Sequence, residues 1–380
     1  MTAMTNNIER SATNWADLAR LLAADFATRA AAHDAEDRFV AENYEALKQA
    51  GFFKALVPEE FGGGGATIGE MCSAIRILGA SCGSTALAFA MHSHLVAVAA
   101  WRWRHQNAPT DGLLKRVAAE DLVLVSSGGS DWLASGGTAE KCDGGFRVTA
   151  RKPFSSGSPG ADLLSTSAVY DDPDAGPTVL HFAVSLKAEG VTLLDTWQVM
   201  GMRGTGSGDV QLDQVFIADA AVSGRRPAGP WHMLFHIISM IAFALIYSAY
   251  VGVAEGARAR ALAAAKKRGE SDELTQLVGE MENQFAIAEM AIERMIETAD
   301  HGRPGPKTTS RAMTARTIVG KAVIATVEKA MEVAGGAGFY RGFGLERAFR
   351  DVQAARFHPL QEKPQQRLAG RLALGLDIDG

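Results

Sequence analysis

The spacing of apolar residues changes twice along this chain, and that change limits the fold more than any single motif. Up to about residue 120, apolar residues recur every three or four positions in runs such as Ala12 to Ala32, Asp34 to Gln49 and Ile68 to Leu78. That is the spacing of amphipathic helices. From Asp121 to about Ala221 the pattern becomes short Val, Leu, Phe and Thr runs divided by Gly, Asp and Pro, among them Leu122–Val125, Phe146–Thr149 and Asp209–Ile217. These are strand signals. Gly224–Pro230 reads as a linker, and Trp231 to Leu374 is helical again, interrupted near His301–Pro306. Helices, then strands, then helices predict an α+β chain with separate α, β and α domains, not alternating βαβ units. The expected boundaries are 1–120, 121–225 and 226–380.

Composition narrows the function classes. With 380 residues, 47% of them hydrophobic, and six Trp and seventeen Phe, the chain can bury a large core. A net charge of -5 without basic blocks offers no footprint for nucleic acid or an anionic membrane surface. Cys72, Cys82 and Cys142 are odd in number and lack metal-ligand spacing, which argues against a disulfide framework or a zinc site and for a reducing compartment. The N-terminus shows no basic run leading into an apolar segment, so the expected location is cytoplasmic. Ile237 to Ala254 carries no charge and approaches the length of a bilayer span. It contains Ser239, Tyr247, Ser248, Tyr250 and Gly252 and runs on into the polar, Ala-rich Glu255–Arg268, so a buried core helix is expected.

Three stretches carry a resemblance: Leu47-Lys-Gln-Ala-Gly-Phe-Phe-Lys-Ala-Leu-Val-Pro-Glu-Glu-Phe-Gly-Gly63, Gly201-Met-Arg-Gly-Thr-Gly-Ser-Gly-Asp209, and Gly335-Gly-Ala-Gly-Phe339 followed by Arg350-Asp351. In this order and spacing, from about Leu47 to Arg371, the chain resembles the acyl-CoA dehydrogenase superfamily of flavoproteins. The resemblance implies an N-terminal helical domain, a middle antiparallel β domain and a C-terminal four-helix bundle. It also implies FAD or FMN as cofactor and assembly as a homotetramer, a dimer of dimers.

It further implies a flavin pocket. Leu124-Val-Ser-Ser-Gly-Gly-Ser-Asp131 is similar to the family's loop ending in Gly-Ser-Asp, which makes Ser130, with Ser127, the expected phosphate-side contact. Phe154-Ser155-Ser156 stands where the family has Trp-x-Thr, so Phe154 is expected to wall the isoalloxazine and Ser155 and Ser156 to contact its polar edge. The Thr of the family's loop is replaced by Leu124. Arg268 resembles a pyrophosphate-facing arginine that serves a neighbouring subunit, although the Phe-Gly that usually follows is missing. Glu332-Val-Ala-Gly335-Gly336-Ala-Gly338 resembles the family's Gln-x-x-Gly-Gly-x-Gly, with Glu332 for the Gln and glycines that admit a close cofactor. Without the resemblance, the same residues also read as hairpin turns, a solvated helix end and a helix-ending glycine cluster.

The proton chemistry departs from the family. Acyl-CoA dehydrogenases abstract an α proton with a glutamate, whereas here Pro359 and Ala242 occupy the two positions where one is found, and Glu362 lies three residues beyond the first. His358 follows Arg350 by eight residues and resembles the histidine of the superfamily's two-component flavin monooxygenases, which take reduced flavin from a separate reductase and activate O₂. Phe154-Ser-Ser-Gly157 resembles a loop of the same enzymes. His358, His92 and Ser156 are therefore the catalytic candidates, with His94 behind them; a histidine near its ordinary pKa suits proton work at neutral pH. Each histidine also reads as a satisfied core group. The expected activity is flavin-dependent monooxygenation or another non-standard oxidation of a small organic substrate. The alternatives are dehydrogenation of a CoA thioester and a non-catalytic scaffold.

Overall fold

The computed structural model describes residues 13–128 and 131–379. Five helices come first: Trp15–Ala35 (α1), Ala41–Gln49 (α2), Ile68–Ser81 (α3), Gly83–Gln106 (α4) and Asp111–Glu120 (α5). Side chains fix their starts. Asn14 accepts from Asp17 N–H at 3.1 Å, and Thr67 and Glu70 exchange bonds in a capping box that opens α3. The run Asp34–Gln49 is not one helix as expected, because Asp37 takes a positive φ of 49° and the chain re-enters helix only at Ala41.

Among the described residues, eight strands form one sheet: Leu124–Ser126 (β1), Thr138–Cys142 (β2), Gly145–Lys152 (β3), Leu163–Asp172 (β4), Gly176–Ser185 (β5), Val191–Leu193 (β6), Val210–Ala218 (β7) and Val222–Pro227 (β8), with a short helix Asp131–Ala134 (α6) after β1. The order is β6-β7-β3-β2-β4-β5-β8, and β1 pairs with β4. Most pairings are antiparallel, while β1 and β2 each run parallel to β4. The expected linker at Gly224–Pro230 is partly strand, since β8 pairs with β5 from Val222 to Pro227. Its inward Arg226, 3% exposed, donates to His181 Nε2 at 3.2 Å and Leu133 O at 3.2 Å, which anchors an edge that Gly and Pro made look like coil.

Five helices close the chain: Met233–Arg268 (α7), Asp272–His301 (α8), Pro306–Ala334 (α9), Leu345–Val352 (α10) and Glu362–Ala373 (α11). The two helical parts are not separate. One continuous apolar core runs from Trp15 through α3 and α4 into α7, α8 and α9, and the sheet keeps a second core around Phe146, Val148, Leu164 and Phe182. Glycine makes the junction possible. A Cβ at Gly252 of α7 would meet Arg76 O at 2.1 Å, and one at Gly256 would meet Ala80 O at 2.4 Å, so α3 and α7 cross backbone to backbone. Both α4 and α7 are long and apolar enough to cross a membrane, yet 94% of each apolar window is buried inside the fold. They are core helices.

Candidate functional site

The loop after β3 presents the expected ring-facing residues. Phe154 is 55% exposed at a φ of 62° and meets Trp197 edge-on, with ring centroids 6.0 Å apart. A bulky residue with positive φ is strained and persists only where its surroundings hold it. Here they do: Gly128 N–H donates to Pro153 O at 3.3 Å, Ser155 N–H to Gly208 O at 3.2 Å and Gly157 N–H to Thr205 O at 2.8 Å. The result is a large aromatic face held outward from a rigid turn.

Ser155 and Ser156 differ in their surroundings. Ser155 is fully buried, with its hydroxyl 3.4 Å from Lys152 O. Ser156 is half-buried at the end of a hydroxyl chain, 2.7 Å from Ser207 Oγ, which lies 2.6 Å from Thr205 Oγ1. Each hydroxyl carries one proton. Thr205 Oγ1 donates to the Met202 carbonyl at 2.8 Å, which also accepts from the Trp197 indole N–H at 3.3 Å, and with Ser207 donating to Ser156 the Ser156 O–H stays free for a ligand.

Behind this loop lies a charged knot that the sequence reading missed. Lys152 continues the inward side of β3 after Phe146, Val148 and Ala150, and it is fully buried. Its ammonium donates to Asp131 Oδ1 at 2.7 Å, to Ser167 O at 2.6 Å and to Gly136 O. All three donors are satisfied. Burial lowers the pKa of Lys152, and Asp131 opposes that shift. Ser127, expected at the cofactor, donates to Asp131 and lies 2.9 Å from Thr166 Oγ1, so it braces the knot. Ser130 lies outside the described residues.

The third group gathers around His358, which follows α10. Its Nε2 lies 2.6 Å from the Tyr250 hydroxyl of α7, and the Tyr247 ring is 5.9 Å away. Arg316 of α9, 2% exposed, donates to the carbonyls of Ala355 at 3.1 Å and His358 at 2.7 Å, and Tyr247 O–H donates to Ala355 O at 2.7 Å. Burial, with the Arg316 charge and His94 adding to it, pushes the His358 pKa down to about 3. This overturns the expectation of an imidazole titrating near neutrality: at pH 7 the ring is neutral. Burial also raises the Tyr250 phenol well above its ordinary value.

The two helical histidines have different partners. His92 is 1% exposed, accepts from Leu124 N–H at Nδ1 (3.0 Å) and therefore donates through Nε2 to Phe53 O at 2.6 Å. Both nitrogens are used, which makes His92 a strut between α4 and β1 and leaves it no atom for proton transfer. His94 donates from Nδ1 to Ala90 O at 3.2 Å, and burial lowers its pKa to about 4.

The Gly201–Asp209 turn joins the hydroxyl chain to the His358 side. Met202 N–H donates to Asp351 Oδ1 at 2.5 Å, and a Cβ on Gly201 would strike Arg350 O at 2.3 Å. Burial raises the Asp351 carboxyl to about 6. Arg203 donates to Val199 O at 3.0 Å and pairs with Asp37 at 3.3 Å, a structural role. Elsewhere, Arg268 ends α7 beside the end of α9: it donates to Val333 O, and a Cβ on Gly335 would lie 3.0 Å from its Nη1. Gly335 has a φ of 64°, Gly336 has open space about its Cα, Gly338 packs against Met331, and exposed Glu332 pairs with Lys329 at 2.9 Å. The expected dinucleotide-end residues thus meet on one surface. The positions of the missing glutamate hold buried Ala242 and half-buried Pro359, while Glu362 pairs with Lys321 at 2.7 Å.

The acyl-CoA dehydrogenase N-terminal, middle and C-terminal domain descriptions match residues 13–107, 126–215 and 244–362. The chain belongs to the acyl-CoA dehydrogenase superfamily. It is a flavin-dependent oxidoreductase of that group, whose members use FAD or FMN. The oxygenase subunit HsaA of a flavin-dependent monooxygenase from Rhodococcus jostii is 27% identical over 87% of this chain and 90% of its own length. The putative acyl-CoA dehydrogenase YdbM of Bacillus subtilis is also 27% identical, over 91% of this chain and 92% of its own. The structure of KijD3 in complex with FMN and a dTDP-linked amino-keto sugar superposes with a TM-score of 0.88 at 25% identity, covering 100% of this chain and 98% of that one. Relatives thus include both monooxygenases and dehydrogenase-like proteins.

Proposed function

We propose that this protein is the oxygenase of a two-component flavin-dependent monooxygenase. It takes reduced FMN or FAD from a separate reductase and inserts one oxygen atom into a small organic substrate. The observation that carries the reading is the His358–Tyr250 pair, a neutral imidazole on a phenol where a dehydrogenase needs a carboxylate. At pH 7 the ring is neutral and the phenol keeps its proton, so the pair offers hydrogen bonding to oxygen without a carboxylate that would deprotonate a substrate carbon.

The residues fit a flavin. Phe154 offers a rigid aromatic face, Ser156 a hydroxyl whose proton is free in one arrangement of its chain, and Gly157 and Gly208 leave no side chain beside them. Bound reduced flavin supplies two electrons and the carbon at which O₂ is activated: substrate R–H, O₂ and reduced flavin give R–OH, water and oxidised flavin. Phe154 positions the ring, Ser156 holds its polar edge, and His358 with Tyr250 keeps the proton that the departing oxygen needs. Arg268 with Gly335, Gly336 and Gly338 would serve a neighbouring subunit's cofactor. Exposed Phe339, Tyr340 and Leu374 support assembly as a homotetramer, and three free cysteines support a cytoplasmic location.

The test titrates the purified protein with oxidised and reduced FMN and FAD, then mixes the reduced complex with O₂ and follows H₂O₂. Tighter binding of reduced flavin and H₂O₂ release slower than from free flavin are expected. A yellow protein bleached anaerobically by an acyl-CoA panel would instead establish dehydrogenation, and no binding in either redox state would leave a scaffold.

A further inference from the structure

Among the described residues, no carboxylate pairs with the buried cation Arg316. It is 2% exposed, its Nε has no hydrogen-bond partner, and its remaining partners are the carbonyls of Ala355 and His358, a long contact to Arg356 O at 3.5 Å and the Thr317 hydroxyl at 3.5 Å. None carries negative charge. Burying a guanidinium in this way is costly, and an apolar side chain of similar volume would fill the space at lower cost. What the arginine provides is aim, since its Nη2 alone donates to two carbonyls of the same short segment.

We propose that Arg316 is a positioning residue for His358: it grips the main chain at Ala355 and His358, seats the imidazole against Tyr250, and sets a fixed positive charge behind the ring. The inference rests on the oxygenase reading given above. Tyr247 completes the grip, donating to the same Ala355 carbonyl while its ring lies 5.4 Å from the guanidinium. Tyr247 and Tyr250 of α7 lie against the imidazole, the charges of Arg316 from α9 and His94 from α4 act on it, and Asp351 of α10 acts on Tyr250. Of these charged or titratable groups, only Arg316 is a cation at every working pH. It therefore adds to burial in opposing an imidazolium beside it.

The test needs no substrate. In protein carrying labelled histidine, with the His358 signal assigned by its loss in His358→Asn, NMR follows the protonation of His358 in wild type, Arg316→Gln and Arg316→Lys. Arg316→Gln is expected to raise the His358 midpoint by one pH unit or more and to speed H₂O₂ release from the reduced-FMN complex at least fivefold. Arg316→Lys keeps the charge, but its ammonium stands one bond short of the Nη2 position that grips the two carbonyls, so its midpoint stays near wild type while H₂O₂ release still quickens. A folded Arg316→Gln protein with an unmoved midpoint overturns the proposal. If that variant does not fold, Arg316→Lys decides, and wild-type H₂O₂ release from it is equally fatal. Should His358→Asn leave H₂O₂ release unchanged, the oxygenase reading fails on its own, and the titration still decides whether Arg316 sets the state of His358.

Discussion

The Tyr250 hydroxyl sits 2.6 Å from His358 Nε2, joining the middle of the longest core helix to the turn after α10 across 108 positions of sequence. Replacing it with Phe removes one hydrogen bond to an uncharged ring, a loss of about 1 kcal/mol in stability. The effect on oxygen chemistry is larger, because a general acid or base out of position forfeits on the order of 10² in rate. For Tyr250→Phe we expect unchanged binding of reduced FMN, and H₂O₂ release after mixing with O₂ at least ten times faster than wild type. Equal release rates in stopped-flow assays would remove Tyr250 from the mechanism.

Ser156 and Ser155 adjoin in sequence and should separate in assay. A hydroxyl that meets the flavin edge through one hydrogen bond is worth about 1 kcal/mol, roughly a fivefold change in affinity. Ser156→Ala should therefore weaken reduced FMN about fivefold by fluorescence titration with little change in melting temperature. Ser155→Ala, at a fully buried position, should lower the melting temperature and spare affinity. The reverse pattern would mean that the ring does not lie on Ser156.

The fold was legible because its signals are local. Apolar period distinguishes helix from strand residue by residue, and the glycine stretches mark turns wherever they fall. Much of the site was not, because it depends on meetings at long range. Tyr250 lies in an uncharged run that reads only as core, and nothing near Arg316 in sequence announces that it reaches the His358 turn. Lys152 did leave a signal. It follows Phe146, Val148 and Ala150 at every second position, and a lysine on the inward side of a strand requires a buried partner. His92 and His94 look equivalent in sequence, and only the neighbours of each ring show that one is a strut.

That buried partner gives a stability prediction. Removing one member of a buried ion pair strands the other, at about 3 to 5 kcal/mol. Lys152→Met should lower stability by that amount in urea unfolding and loosen the Ser127 loop. Asp131→Asn combined with Lys152→Met should recover part of the loss, since no buried charge is left unpaired. A single variant with wild-type stability would show that the ammonium is hydrated in solution.

At the α3–α7 crossing, Gly252→Ala places a methyl group 2.1 Å from Arg76 O, and backbone cannot turn aside as a side chain can. Overpacking of this kind costs about 1 to 3 kcal/mol or more. The expected outcome is a lowered melting temperature and disturbed flavin binding, because Tyr250 is only two residues away. Gly279 is the control, since a methyl group added there would meet nothing within 4 Å: Gly279→Ala should be neutral or stabilising. Equal effects at the two sites would argue against the close crossing.

Acid should unfold the protein through its histidines. His92, His94 and His181 are held at about 4 and His358 at about 3, against about 6.5 in an unfolded chain. Their neutral forms are favoured in the fold, so their contribution is complete above pH 6.5 and is lost as pH falls towards 4. Each weakens the fold by about 1.4 kcal/mol per pH unit in that window. Asp351 acts oppositely: raised to about 6, its contribution is complete below its ordinary value and is lost as pH rises through 6. Four histidines against one aspartate leave a net loss of roughly 3 to 4 kcal/mol for each unit of acidification between about pH 6 and pH 4.5. Urea midpoints at pH 7 and pH 5 measure it directly, and the lower midpoint belongs at pH 5. Equal midpoints would mean that these imidazoles are not held neutral, and with them would go the neutral state assigned to His358.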